Sequence, residues 1–418
     1  MAPAQGAART FCLMETRFLR NAITLGLISA IGPFAIDMYL PALPAIGSSL
    51  GADTSAVQMS LTVFFIALSL GQSFYGPLSD MIGRKTPLYL GLGLFSIGSV
   101  GCALAPNIGV LIAFRFIQGF GACAGMVIPR AIVRDLHTGI DATRLMSLLM
   151  LVFSISPILA PLTGSFVIQL GGWRSVFWVV LVAAAVGCVI LSTVTETRPA
   201  EERAESSIRS AFAAYGLLLR DRHFLGLAFI GAFGLSSFFV YLSNSPFVLI
   251  EHYHLSPRLY SVCFSANAAS FFATAQFNGW AAQRFGLRRL VRTAVIVYAV
   301  VMVTLLALFA SGVDRLDVLA ALLFVGYGCL GMVIPTTAVL ALEDHGDIAG
   351  TASAFMGTVQ FVTGAVIMLF VGSFLNGTAL PMVAGIAACA VISLALAQTV
   401  LRGPTPETES PAVEAAAD

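Results

Sequence analysis

Apolar residues occur along this chain in long runs that are separated by short polar segments. Twelve runs have about 20 residues, the length of an α-helix that crosses the hydrocarbon core of a bilayer. A helix also satisfies its backbone hydrogen bonds internally, as a chain in lipid must. The pattern therefore predicts an all-α membrane protein with twelve transmembrane helices, at residues 21–43, 57–79, 87–105, 109–130, 145–170, 175–195, 223–249, 259–281, 290–312, 317–341, 350–374 and 380–401.

The amino-acid composition excludes a soluble protein. Of the 418 residues, 58% are hydrophobic and 10% are charged, whereas a soluble domain carries about 25% charged residues. The net charge of +1 gives no general attraction to nucleic acid. Six of the seven cysteines lie inside the apolar runs without a C-x-x-C pairing, so we interpret them as packing residues and expect no metal site. His252 and His254 are expected to be solvated residues at the membrane surface.

Lysine and arginine residues predict the orientation, because positive charge remains on the cytoplasmic side of a membrane. If the N-terminus lies inside, 18 of the 22 Lys and Arg residues fall in cytoplasmic segments, and only Arg174, Arg258 and Arg315 fall outside. Both termini are therefore predicted to be cytoplasmic.

The two halves of the chain repeat each other on either side of a polar connection at residues 196–222. The loop after the second span reads GPLSDMIGRK from Gly76, and the loop after the eighth reads GWAAQRFGLRR from Gly279. The fourth and tenth spans both contain GMVIP. This duplication predicts two six-helix bundles, at 21–195 and 223–401, of the kind that rock against each other in transporters around a site at the membrane midplane.

Three polar segments lie outside the bundles. Residues 1–20 form a cytoplasmic N-terminus, 196–222 a cytoplasmic linker, and 402–418 a tail whose low apolar content predicts disorder. Four apolar residues of the linker recur at helical spacing: Ile208, Phe212, Tyr215 and Leu219. They indicate either an amphipathic helix on the inner membrane face or a partly ordered linker.

Several motifs resemble the major facilitator superfamily. The loop G-x-x-x-D-x-x-G-R-K runs from Gly76 to Lys85, and FAIDMYLPALP, RFIQGFGA, GGWRSVFW and YLSNSPFVLIE resemble its Bcr/CflA-type drug-resistance transporters. Two departures are Met81, where the family usually has a basic residue, and APLTGS at 160–165 in place of G-P-x-x-G-G. The resemblance implies a monomeric drug:proton antiporter of the bacterial inner membrane. The proton gradient would supply the energy without a cofactor, and bicyclomycin, chloramphenicol and sulfonamides are candidate substrates.

Asp37 and Arg115 are the only charged residues well inside the predicted spans. Charges at such positions cost roughly 2.5–3.5 kcal/mol on insertion scales and are functional by default. We expect the two side chains to face one cavity and to interact. Asp37 would then carry the proton, and the resemblance assigns Arg115 to the proton-coupling motif. The alternatives are an interfacial Asp37 before the helix-ending Pro41 and Pro44, and an Arg115 that only joins two spans.

The loop after the second span is expected to act as a gating motif, formed by Gly76, Asp80, Gly83, Arg84 and Lys85. Asp80 would contact the N-terminus of the eleventh span while the inner side is closed, since a helix N-terminus attracts carboxylates. Arg84 and Lys85 either anchor the loop or serve only as the positive charges of a cytoplasmic segment.

Pro157, Pro161 and Gly164 are expected to interrupt the fifth span, because proline removes a helix donor. In the family that this chain resembles, such a kink is associated with exporters. A cavity that mixes aromatic, amide and methionine side chains would suit varied apolar drugs, although each of these residues is equally suited to packing. The candidates are Tyr39, Gln118, Met150, Tyr241, Asn244, Asn267 and Gln360.

A membrane-embedded enzyme would need a cluster of acids, histidines or cysteines at one membrane face, and the sequence shows none. We therefore expect a transporter rather than an enzyme, with small molecules, protons and lipid as its partners. Within transport, the alternatives are an exporter of a native metabolite, siderophore or amino acid, and a proton symporter.

Overall fold

The computed structural model describes residues 2–136, 139–198, 215–343, 345 and 348–401, with side chains from Arg20 onward except at 139–143. This described part of the chain forms helices and contains no strand. The helices are α1 (Ala2–Asp37), a 3-10 helix (Leu40–Ala42), α2 (Leu43–Leu50), α3 (Thr54–Ile82), α4 (Lys85–Ala103), α5 (Ile108–Leu136), α6 (Gly139–Gly171), α7 (Arg174–Leu191), α8 (Arg222–Pro246), a π-helix (Phe247–His252), α9 (Pro257–Gln276), α10 (Asn278–Phe285), α11 (Leu287–Ala310), α12 (Leu316–Glu343), α13 (Ala349–Gly372) and α14 (Leu380–Val400).

Eleven helical segments of the described residues are long and apolar enough to cross a membrane. The predicted eighth span, 259–281, is the one that does not reach this threshold. It is also not continuous, because α9 ends at Gln276 and α10 begins at Asn278. Since α9 packs among the spanning helices, it completes a twelve-helix, all-α membrane fold.

The polar residues of α9 explain its low hydropathy. Ser270 donates a hydrogen bond to the Phe324 carbonyl at 2.7 Å, and Thr274 donates to the Gly328 carbonyl at 2.6 Å. A polar side chain that bonds a neighbouring helix replaces the water it would otherwise need, so α9 lies in the bundle without a uniformly apolar surface.

Helix packing divides the twelve spans into two sets. In the first half, α3 and α4 pack on α5, and α1 packs on α6. In the second half, α8 packs on α14, while α9 and α11 both pack on α12. The halves meet mainly through two pairs, α3 with α13 and α6 with α9. We call the membrane side at which α1 begins the inner side, following the charge distribution, and the opposite side the outer side.

Some sequence predictions fall beyond the described residues. Ile208, Phe212 and the tail 402–418 lie outside them, so the proposed linker helix is represented only by Tyr215 and Leu219. Tyr215 packs on Phe355 of α13, with ring centroids 5.4 Å apart.

Candidate functional site

The first span breaks within the stretch GPFAIDMYLP. α1 ends at Asp37, and the chain then continues into the 3-10 helix and α2. Pro41 lies in the first turn of the 3-10 helix and Pro44 in the first turn of α2. Proline is favoured there because the first turn needs no backbone donor. The two prolines therefore begin new helices, and the first span ends earlier than the sequence predicts.

Asp37 is buried although it ends a helix, with 4% of its surface exposed. Within the described residues, no hydrogen bond or ion pair reaches its carboxylate. Tyr260, on α9 of the other half, is near enough to interact with Asp37 electrostatically. The interfacial alternative for Asp37 does not fit this burial. The carboxyl lies instead where the two halves meet.

Arg115 is fully buried inside the first half. Its Nη1 donates to the Ala35 carbonyl at 3.3 Å and to Gln118 Oε1 at 2.7 Å. The guanidinium lies over the Tyr39 and Phe64 rings, 4.3 and 4.2 Å from their centroids. Cation–π contacts of this kind stabilise a desolvated arginine by about 2 kcal/mol.

The expected contact between Asp37 and Arg115 is absent: among the described residues, no ion pair within 4.0 Å joins them. Arg115 is held within the first half by its bonds to the Ala35 carbonyl and Gln118, whereas Asp37 lies near Tyr260 of the second half. The predicted interaction between the two side chains is therefore absent, and a cavity that both face stays a prediction.

Tyr39 and Gln118 lie around Arg115. They do not line the cavity between the two halves, which Gln360 lines. The Tyr39 hydroxyl is 2.7 Å from Ser60 Oγ, and Gln118 Nε2 donates to Ser99 Oγ at 2.9 Å. Both side chains are fully buried. They position the guanidinium.

The polar candidates of the second half form their own network. Asn267 donates to the Tyr241 hydroxyl at 2.9 Å, and the hydroxyls of Ser245 and Tyr260 are 3.4 Å apart. All four side chains are buried. This network places a row of hydroxyl groups opposite Asp37, across the junction of the halves.

Asn244 takes part in a bond between the halves. Gln58 of α3 donates from Nε2 to Asn244 Oδ1 at 3.0 Å and to the Ser243 carbonyl at 3.1 Å. On the other side of the junction, Ser261 donates to the Pro161 carbonyl at 2.8 Å and Ser265 to the Ile158 carbonyl at 2.6 Å. These bonds form the outer closure, defined by Gln58, Ser261 and Ser265.

On the inner side a cavity of about 300 Å³ lies between the halves, beside the contacts of Ser69 and Ser73 with Thr358. Its walls include Gln72, Arg130, Phe153 and Gln360, and we call it the inner cavity. Met150 lines a different space, a groove between α6 and α9. The structure therefore distributes the seven cavity candidates over five places.

α6 runs through Pro157 and Pro161 as one continuous helix, so the prolines do not divide the fifth span, and a kink at these residues stays a prediction. Gly164 allows a close approach instead: a Cβ at this position would lie 2.4 Å from the Met38 carbonyl oxygen. Gly164 thus packs the outer part of α6 against the break that follows Asp37.

Arg84 forms the centre of a charge cluster in the loop after α3. Its side chain, 5% exposed, pairs with Asp80 at 2.6 Å and with Asp135 at 2.7 Å. Burial alone would lower the pKa of Arg84, but the two carboxylates outweigh it and raise this pKa. Arg84 therefore anchors the loop, which decides between the two alternatives for this residue.

Glu196 completes the charge cluster from the end of the first half. Its carboxylate accepts the backbone N–H of Arg84 at 2.8 Å and of Lys85 at 3.1 Å, at the start of α4. Gly83, with φ of 94°, turns the chain into that helix. Gly76 lies within α3 with open space beside it.

Asp80 does not contact the N-terminus of α13. Arg198 is its second partner, at 3.4 Å, and Arg134 lies at that N-terminus, 3.3 Å from where a Cβ on Gly350 would be. The contact is predicted only for the state in which the inner side is closed, so it stays a prediction. On the outer side, His252 pairs with Asp314 at 2.7 Å.

Sequence reasoning missed several residues that the structure brings into these sites. Asp135 and Glu196 carry a usable signal, because acids are unusual among the positive charges at an inner membrane end. Gln58, Ser261 and Ser265 carry only a weak one, since neutral polar residues are common inside spans.

Comparison with known proteins agrees with this architecture. Residues 25–368 match the model of the Major Facilitator Superfamily. The chain is 38% identical over 381 residues to YdgK of Bacillus subtilis (strain 168), described as an MFS-type transporter, covering 90% of this chain and 93% of that protein. It is 29% identical over 384 residues to a bicyclomycin resistance protein homolog of Haemophilus influenzae, covering 89% and 94%.

A solved structure agrees in fold alone. The crystal structure of a D-xylose–proton symporter superposes with a TM-score of 0.70 at 15% identity, covering 93% of this chain and 97% of that one. Together with the helical architecture, these matches show a multi-pass membrane transporter and not an enzyme. The chain belongs to the Major Facilitator Superfamily.

Proposed function

We propose that this protein exports small, mostly apolar drugs across the bacterial inner membrane in exchange for protons, by alternating access. The similarity to a bicyclomycin resistance protein homolog supports drug export. The excess of lysine and arginine in the segments assigned to the inner side supports cytoplasmic termini. A monomer and a proton gradient as the energy source complete the proposal.

The buried, unpartnered carboxyl of Asp37 is the observation that carries proton coupling. A desolvated carboxylate without a partner costs several kcal/mol, so the outer closure favours a neutral, protonated Asp37. When the outer side opens, water reaches the Asp37 carboxyl and stabilises its ionised form. Proton binding and closure of the outer side are therefore two parts of one equilibrium.

The cycle follows from this link. A proton from outside neutralises Asp37 and lets Gln58, Ser261 and Ser265 close the outer side. In the inward-facing state the drug binds in the inner cavity, and the free energy of drug binding offsets the cost of releasing the Asp37 proton toward the cytoplasm. The ionised carboxyl then favours reopening of the outer side, where the drug leaves. Arg115, held by Gln118 and Tyr39, keeps the first half rigid around the break after Asp37.

Inverted membrane vesicles test this proposal. Their lumen corresponds to the bacterial exterior, so an exporter driven by protons accumulates radiolabelled chloramphenicol in the lumen when the lumen is acidified. We expect accumulation that an ionophore abolishes and that vesicles without the protein lack. Acid-driven expulsion of preloaded chloramphenicol would instead indicate symport, and accumulation that ignores the gradient would contradict proton coupling.

A further inference from the structure

Among the described residues that line the inner cavity, Arg130 of α5 is the one with a charged side chain. This side chain is exposed, and within the described part of the chain no carboxylate pairs with it and no hydrogen bond reaches it. An unpaired charge in a spanning helix is costly and marks a functional position by default. Arg115, on the same helix, is instead fully buried and bonded to two acceptors. Of these two arginines, only Arg130 is available to a ligand.

The Phe153 ring of α6 holds the Arg130 guanidinium without neutralising it. The central carbon of the guanidinium lies 5.0 Å from the centre of this ring. An aromatic ring attracts the charge of a guanidinium but offers no acceptor oxygen to its N–H donors. These donors form a planar fork that matches a carboxylate. Arg130 is therefore positioned by a contact that leaves its fork for an anionic group.

Two amide side chains face the same cavity from opposite halves, Gln72 on α3 and Gln360 on α13. Neither amide forms a hydrogen bond within the described residues. Gln72 approaches α13 at Gly357, where a Cβ would collide with its Oε1. Because amide N–H groups can donate to an anion as a guanidinium does, the cavity combines one cation with neutral donors from both halves.

A second arginine lies between Arg130 and the cytoplasm. Arg134 follows four residues later on α5, about one helical turn nearer the inner side. Its side chain is also exposed and has no ion pair within the described ranges. A cleft lined by charges of one sign concentrates solutes of the opposite sign. The two arginines therefore favour the entry of anions into the inner cavity over that of cations.

The rest of the wall is largely apolar and includes Met126, Phe153, Met356 and Phe361. The cavity volume of about 300 Å³ lies at the lower end of the roughly 300–1,000 Å³ range of small-molecule sites. A compact aromatic body fits this size and these walls, and an acidic group on that body fits Arg130.

We propose that the inner cavity recognises amphipathic organic anions, compact aromatic molecules that carry a carboxylate or an equivalent acidic group, and that Arg130 binds the acidic group. This proposal rests on the export function and names its substrate class. An Arg130 that serves only as a positive charge of the cytoplasmic side is the competing outcome.

Equilibrium binding of radiolabelled 2-naphthoate and 2-naphthamide to the detergent-purified protein tests the proposal, since these ligands share one shape and differ in charge. Arg130→Gln should raise the ratio of the naphthoate to the naphthamide Kd about tenfold, because it removes a charge-assisted bond. Arg130→Lys, which keeps the charge, should show a smaller rise. The control Arg284→Gln removes an exposed inner-side arginine outside the cavity and should leave the ratio at the wild-type value. An unchanged ratio in Arg130→Gln, or an equal rise in both Gln variants, would overturn the proposal.

A cation of the same shape, 2-naphthylmethylammonium, separates recognition from a structural role. Because Arg130 repels this ligand, Arg130→Gln should bind it about threefold more tightly than the wild type. Weaker binding of both the anion and the cation would overturn the proposal, since the substitution would then merely disturb the cavity. Binding needs no proton gradient, so failure of the export function is distinguishable: the anion preference would remain while proton-driven accumulation would be absent.

Discussion

The two duplicated loops, after α3 and after α10, have the same turn but different electrostatics. Gly83 and Gly286 both adopt positive φ, 94° and 79°, and both begin a helix. In the first loop Arg84 is buried between two carboxylates. In the second, Gln283 stands where the first has Asp80, and Arg288 has no ion pair within the described residues. Duplication has preserved the backbone, and only the first half has a charge cluster.

The charge cluster gives the largest expected difference between the loops. Arg84→Ala leaves Asp80 and Asp135 without their shared partner, which should lower the free energy of unfolding by about 3 kcal/mol. Because Asp80 is partly exposed, solvent screens its charge, and the loss of unfolding free energy should not exceed this value. The second loop has Leu287 at the position of Arg84, so the comparison variant is Arg288→Ala at the next position, which should change the free energy of unfolding by less than about 0.5 kcal/mol. Thermal unfolding in detergent measures the stability of both variants. Equal losses would show that the two loops do not differ in their electrostatics.

The shared turn gives an effect that should be the same in both loops. Gly83→Ala and Gly286→Ala each force a side chain into a backbone conformation that only glycine adopts readily, at a cost of about 1–3 kcal/mol. Thermal unfolding should show similar losses for both variants. A large loss at Gly83 with none at Gly286 would mean that the charge cluster, and not the turn, makes the first position sensitive.

Glu196 should make the first loop sensitive to acid. Partial burial alone would raise the pKa of Glu196, but backbone N–H groups, those of Arg84 and Lys85 first, outweigh it and lower this pKa. A lowered folded-state pKa means that the carboxylate stabilises the fold above its unfolded pKa and loses this effect as pH falls through the folded value.

Glu196→Gln should therefore cost less than about 1 kcal/mol at pH 7, because Glu196 is exposed and solvent screens its charge. The difference from wild type should shrink as the pH falls below about 4.5, the ordinary pKa range of glutamate. Unfolding curves in detergent from pH 7 to pH 4 measure it. A difference that stays constant in acid would show that Glu196 acts by packing.

Gln283→Asp gives the smallest expected effect. This variant places an acid in the second loop at the position that Asp80 has in the first. The position is exposed and lies beside no buried arginine, so the free energy of unfolding should change by less than about 0.5 kcal/mol. A stabilisation above 1 kcal/mol, measured by thermal unfolding, would show that the second loop forms a charge cluster too.

Apolar runs sufficed to predict the twelve helices, because a helix that crosses a bilayer needs about 20 mostly apolar residues. They misplaced the end of α1, where Pro41 and Pro44 open new helices, and the end of α9. Helix caps and kinks depend on single residues, which a 20-residue pattern averages away.

The site was predicted less well than the fold. The sequence indicates that Asp37 and Arg115 are unusual, since both are charges within apolar runs, but not which way each points. That depends on how α1 and α5 are each rotated about their axes, which the pattern of apolar residues does not determine. Tyr39 and Gln118 were misassigned for the same reason, because a polar residue inside a span can face a cavity or a buried partner.

Proton-driven drug accumulation by Asp37→Asn tests the central claim most directly. Asp53→Asn is the matched control, because Asp53 lies on the same outer side but caps α3 through a bond to the Ala56 N–H, which asparagine can also accept. In inverted vesicles with an acidified lumen, Asp37→Asn should still bind chloramphenicol but lose acid-driven accumulation, while Asp53→Asn behaves as wild type. Normal acid-driven accumulation by Asp37→Asn would contradict the account, since proton coupling would then not depend on this carboxyl.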